Sequence, residues 1–136
     1  SLGACLALAD SDPQCLLMSA ELALVSYRIH KQRGTDATKW LVQASGSAMT
    51  AAHATPRSAP AQRLLAETYL ARAEAELEAG HPDLAARAVE QGKAAIAESL
   101  RINPALPRAR QILSALRGLA ITKTDSAVPP SSPIPE

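Results

Sequence analysis

The chain has no Phe, one Trp and two Tyr among its 136 residues. So few rings exclude the stacking platform on which single-stranded nucleic acid is held. An excess of one charge sign is also missing. Fourteen Lys and Arg stand against 13 Asp and Glu, for a formal net charge of +1. The two signs are interspersed along the chain, so no face for nucleic acid or acidic lipid is expected. No apolar run approaches the ~20 residues of a membrane-spanning helix, and membrane insertion by this segment is not expected.

Catalytic punctuation is absent too. There is no Gly-x-Ser-x-Gly elbow, no phosphate-cradling Gly loop and no carboxylate pair with an evident cleft. His30, His53 and His81 fall at helix ends or turns, and none has a second ligand four residues away, so neither a metal nor a cofactor is expected. The acidic set Glu67, Glu74, Glu76 and Glu78 reads as a solvated helix face. The segment is expected not to be an enzyme.

Cysteine is limited to Cys5 and Cys15, on either side of Asp10-Ser11-Asp12. Facing positions of a helical hairpin would bring them within disulfide range, while two buried thiols are the alternative. The redox compartment decides between them.

What the chain has in quantity is Ala and Leu, within a hydrophobic share of 47%. These are the strongest helix formers, and the β-branched and aromatic residues of strands are scarce, so an all-α fold is expected. Asp12-Pro13, Thr55-Pro56 and Asn103-Pro104 each read as a cap followed by Pro at a first helical position. Gly34 and Gly80 read as helix stops in the left-handed conformation, with Asp36 and Asp83 near the next start. Gly34 to Gly80 spans 46 residues, Asp36 to Asp83 47, Pro56 to Pro104 48, and Pro13 to Pro56 43. A two-helix unit repeating near 47 residues is the signature of a solenoid.

Apolar residues recur with helical period between these marks. The expected contacts are Leu17, Ala20, Leu24 and Tyr27; Trp40, Leu41, Ala44, Ala48, Met49 and Ala52; Leu65, Tyr69, Ala73 and Leu77; and Ala85, Ala88, Val89, Gly92, Ile96 and Leu100. Leu65, Leu77, Ile96, Leu100 and Trp40 are expected to dominate stability. Residues 1–10 read as the tail of a preceding repeat helix, 11–56 and 57–104 as helix-pair repeats, and 105–120 as a terminal capping helix. Residues 121–136, rich in Pro and Ser, read as a disordered tail. Its Pro130-Ser131-Ser132-Pro133 matches a polyproline recognition spacing that also arises often by chance. Ser1-Leu2-Gly3-Ala4-Cys5 lacks a start Met, and the chain is read as a piece of a longer protein.

Leu65-Ala66-Glu67-Thr68-Tyr69 resembles the Leu-Gly-x-Ala-Tyr core of a tetratricopeptide first helix, with Ala66 in the Gly position. Ala73 to Gly80 with Pro82-Asp83-Leu84 resembles an extended variant of that repeat. Ala94 to Pro104 resembles its second-helix ending, with Ile96 where an aromatic is common. The 47-residue version is similar to repeat arrays C-terminal to the catalytic domain of some bacterial serine/threonine protein kinases. The resemblance implies a right-handed α-solenoid of antiparallel helix pairs, of five to six helices, whose concave face holds a protein or peptide. By helical phase, Arg28, Lys31, Gln62, Arg63, Glu67 and Arg72 are the candidate groove residues.

Three functions remain in play. One is a sensory or scaffolding protein-interaction module of a larger bacterial regulator. The second is self-association through unpaired terminal helices, and the third is small-molecule sensing in the groove. The compartment, bacterial cytoplasm or the outer side of a membrane-anchored parent, is not fixed by the sequence.

Overall fold

The computed structural model describes residues 12–127, with side chains through 119. The described residues form five helices and no strand: α1 (Pro13–Gln32), α2 (Thr38–Ala54), α3 (Ala59–Glu78), α4 (Pro82–Ile102) and α5 (Ala109–Ala127). The expected disulfide partner Cys5 and the expected helix tail within residues 1–10 lie outside this range, as does the Pro-rich stretch from 128 onward. Cys15 itself is buried near the start of α1.

Local chemistry explains most of the helix boundaries. Asp12 caps α1 by accepting from the Gln14 amide at 2.9 Å, with Pro13 at the first helical position, where its missing N–H costs nothing. Gly34 and Gly80 sit at φ +73° and +82° just after α1 and α3, a backbone region open to Gly without a Cβ penalty. Asp36 accepts from the Thr38 amide at 3.0 Å at the entry to α2. The first turn is further tied by His30 Nδ1 to Thr35 Oγ1 at 2.8 Å, and Trp40 stacks on the His30 ring.

The other two expected Pro starts are corrected. Thr55 is the C-cap of α2, and Pro56 lies in the turn beyond it; α3 starts at Ala59, where Ser58 caps the Ala61 amide at 3.2 Å. Asn103 is likewise the C-cap of α4, and α5 begins five residues past Pro104, at Ala109. Pro suits the residues after a helix as well as its first turn, because it cannot continue the hydrogen-bond ladder. At its far end α5 runs to Ala127, into the segment expected to be disordered.

Each helix packs on its neighbours in sequence, and α3 also touches α1 and α5. Short turns between long packed helices make consecutive pairs antiparallel. The contacts between α1 and α3 rise together along both helices: Glu21 with Arg63, Arg28 with Glu67, Tyr27 with Ala71, and Lys31 with Glu78. These two helices therefore run side by side in the same direction, with α2 antiparallel to both.

The core is built largely from Ala. One cluster joins α1, α2 and α3 through Ala20, Leu24, Tyr27, Ala44, Ala48 and Leu64. A second joins α3, α4 and α5 through Ala66, Ile96, Ala109, Ile112 and Leu116, and a third packs Tyr69 and Ala73 against Ala85 and Val89. Leu65 is partly buried and touches all three. The largest fully buried apolar side chains are Leu64, Ile96 and Leu116, each contributing roughly 1.5–3 kcal/mol. Leu65, Leu77, Leu100 and Trp40 are partly buried and pack against these clusters, while Met49, an expected contact, is on the surface. Gly92 marks a close approach: a Cβ there would lie 3.2 Å from Tyr69 Cβ and 2.9 Å from a Leu116 methyl.

Candidate functional site

Glu67, in the middle of α3, is 3% exposed. A carboxylate so buried must be paired or neutralised, and three guanidinium groups meet it. Arg63, one turn earlier on α3, donates to Oε1 at 2.5 Å. Arg28 from α1 donates to Oε2 at 3.2 Å, and Arg108, just before α5, donates to the same oxygen at 2.6 Å. The expectation that Glu67 belongs to a solvated acidic face is overturned by this cage. Glu76 and Glu78 do reach the surface, where they pair with His81 and Lys31.

The three arginines differ in access. Arg63 is 12% exposed and also approaches Glu21 at 3.7 Å. Arg28 and Arg108 are 47% and 53% exposed, so each presents guanidinium edge to solvent while Glu67 fixes its position. Three guanidinium groups against the carboxylates of Glu67 and Glu21 leave one positive charge in excess. Arg108 holds φ at +69°, and it is the only non-Gly residue described with positive φ. A long side chain in that region carries a cost of about 1 kcal/mol or more, and here the conformation delivers its guanidinium to Glu67.

One to three turns further along α1 and α3, an open groove of about 780 Å³ lies between the α1–α2 turn and the end of α3. Tyr27, Lys31, Arg72, Glu76 and Glu78 line it, with Leu41 and Val42 of α2 on the far side. Burial raises the Tyr27 phenol above its ordinary pKa, against the opposing charge of Lys31. Burial works the other way on Lys31, but the Glu78 carboxylate at 2.9 Å outweighs it and the ammonium pKa rises. Arg72 lies over the Tyr69 ring at 5.9 Å.

The six residues picked by helical phase thus divide three ways. Arg28, Arg63 and Glu67 converge in the cage; Lys31 and Arg72 line the groove; and Gln62 turns back to donate to the Pro56 carbonyl at 3.2 Å. Sequence reasoning missed Arg108, which falls in the stretch 105–120 read as a terminal capping helix, and Glu21. Glu21 was findable, seven residues before Arg28 on one face of α1. Nothing local pointed to Arg108, which meets Glu67 across 41 residues of sequence.

Among the described residues no group of three or more His, Cys, Asp or Glu is arranged to hold a metal ion, and no helix is long and apolar enough to cross a membrane. No family model, curated protein or solved structure matches the chain.

Proposed function

We infer that this chain is a non-catalytic protein-interaction module, a right-handed solenoid of tetratricopeptide-like helix pairs that receives an acidic peptide segment along α1 and α3. The same-direction pairing of α1 and α3 with antiparallel α2 between them supports the solenoid reading, since stacked hairpins produce that order. The resemblance of residues 61–107 supports the repeat type, and with it an origin in a larger bacterial regulator such as a serine/threonine protein kinase.

The observation that carries the ligand class is the arginine cage. A buried carboxylate holds Arg28 and Arg108 in place before any ligand arrives, which lowers the entropy lost on binding. Their free edges present planar, paired N–H donors suited to a carboxylate. The adjacent groove of about 780 Å³ sets Lys31 and Arg72 beside the carboxylates of Asp36, Glu76 and Glu78, so the acidic contact is assigned to the cage.

Amide NMR of the chain titrated with a decapeptide rich in Asp and Glu tests the reading. Shifts concentrated on Arg28, Lys31, Glu67, Arg72 and Arg108 are expected. No shift at millimolar peptide, or the same shifts from a peptide with Asn and Gln in place of the acids, would count against it.

A further inference from the structure

One face of α1 has no partner within the described residues. Met18, Leu22, Val25 and Ile29 are each between 41% and 50% exposed. They follow one another at steps of four, three and four, which on a helix forms a single straight stripe roughly 17 Å long. The stripe is opposite the face that Ala20, Leu24 and Tyr27 bury against α2 and α3. Beside it runs a groove of about 480 Å³ between Leu17, Met18, Leu22, Val25 and Pro60 at the start of α3.

We propose that this stripe is the interface of a two-fold homodimer in which α1 packs antiparallel on α1 of a second copy. The stripe can form layers in either a parallel or an antiparallel pair, and the charges on its flank select the antiparallel one. A two-fold axis midway along it sets Met18 against Ile29 of the second copy and Leu22 against Val25 of the second copy. The 4-3-4 spacing matches its own reverse, so all four positions form layers. Glu21 and Arg28 lie on one flank of the stripe, seven residues apart, and are both about half exposed. The axis brings Glu21 of each copy beside Arg28 of the other, giving two symmetric ion pairs. The opposite flank carries Ser19 and Ser26, which tolerate close approach. A parallel pairing would instead set Glu21 and Arg28 against those uncharged serines. Arg28 has enough N–H donors to serve Glu67 and a second carboxylate together.

Light scattering after gel filtration over a concentration series is the test, on the full chain. The mass is expected to rise from 14.2 kDa towards twice that value, with a dissociation constant on the order of micromolar for an interface of this small class. Leu22→Glu and Val25→Glu, at exposed positions outside the arginine cage, are each expected to weaken the dimer at least tenfold while the thermal midpoint of the dilute monomer is unchanged. Glu21→Gln, which removes the inter-copy carboxylate without reversing a charge in the cage, is expected to weaken it roughly three- to fivefold at low salt and less at 0.5 M NaCl. A strict monomer to millimolar concentration overturns the proposal. A dimer untouched by Leu22→Glu and Val25→Glu overturns it as well. A dimer unaffected by Glu21→Gln at low salt overturns the antiparallel arrangement. Arg28 is shared by the dimer flank and the cage, so peptide binding is read separately through Arg108, which is not on α1.

Discussion

Arg108 donates to Glu67 across 2.6 Å while its own backbone stands in the left-handed region at φ +69°. Both features fall on one residue of the turn that leads into α5. Backbone strain and ion pairing therefore oppose each other at one residue, and substitution separates them. Arg108→Ala loses the pair and keeps the strain, for an expected loss of about 1 kcal/mol. Arg108→Gly loses the pair but relieves the backbone by about 1 kcal/mol, so it should be the more stable of the two in urea denaturation. Equal stabilities would mean that the turn carries no strain.

Glu67→Gln keeps the shape of the buried side chain and removes the charge that three guanidinium groups share. Those groups then face one another with reduced compensation, and a loss of about 3 kcal/mol is expected. The measurement is the urea midpoint at low salt and again at 0.5 M NaCl, where added anions should recover part of the loss. A loss below about 0.5 kcal/mol would make the cage energetically idle.

Two glycines inside helices should respond in opposite directions to Ala. Gly46 of α2 is exposed with nothing within 4 Å of an added Cβ, so Gly46→Ala should stabilise by about 0.5–1 kcal/mol through helix propensity. Gly92 of α4 meets Tyr69 Cβ at 3.2 Å, and overpacking of about 1–3 kcal/mol should exceed the same gain. Thermal unfolding of both variants beside the parent decides it, and a stabilised Gly92→Ala would refute the close packing of α3, α4 and α5.

The pH dependence should narrow from both ends. Asp36 is held below its ordinary pKa by the Thr38 amide and hydroxyl, and Glu98 by Arg101. Depressed folded-state values mean that this stability is present above the unfolded carboxylate pKa, near about 4, and is lost as pH falls through the folded values. Tyr27 is raised by burial, so its contribution is complete below its unfolded value, near about 10, and is lost as pH climbs through the raised one. Asp36→Asn should flatten the acid side of a midpoint-against-pH curve and Tyr27→Phe the alkaline side. Unchanged slopes would rule these groups out.

The sequence was most readable where one residue type alone satisfies the backbone. Gly34 and Gly80 gave the two hairpin turns because a left-handed helix stop favours Gly, and Asp12-Pro13 gave a true start because cap and Pro reinforced each other. Pro56 and Pro104 misled because Pro follows helices as readily as it begins them. Ser58 and Pro60, a few residues on, were the better start for α3. The candidate residues were partly visible, since helical phase put Arg28, Arg63 and Glu67 on related faces. Their convergence was not, because it depends on how far Ala-rich helices close together and on Arg108 arriving from another turn. Burial of Glu67 is a tertiary fact with no local signal: flanked by Ala66 and Thr68, it reads like any surface glutamate.

The most direct test of the peptide-binding account is fluorescence anisotropy with a labelled Asp- and Glu-rich decapeptide, comparing the parent chain with Arg28→Ala and Arg108→Ala at matched folded fraction. The account predicts saturable binding to the parent, weakened at least tenfold by either substitution and by raising salt from 50 to 500 mM. Equal affinity for the parent and both variants, with folding intact, would contradict it.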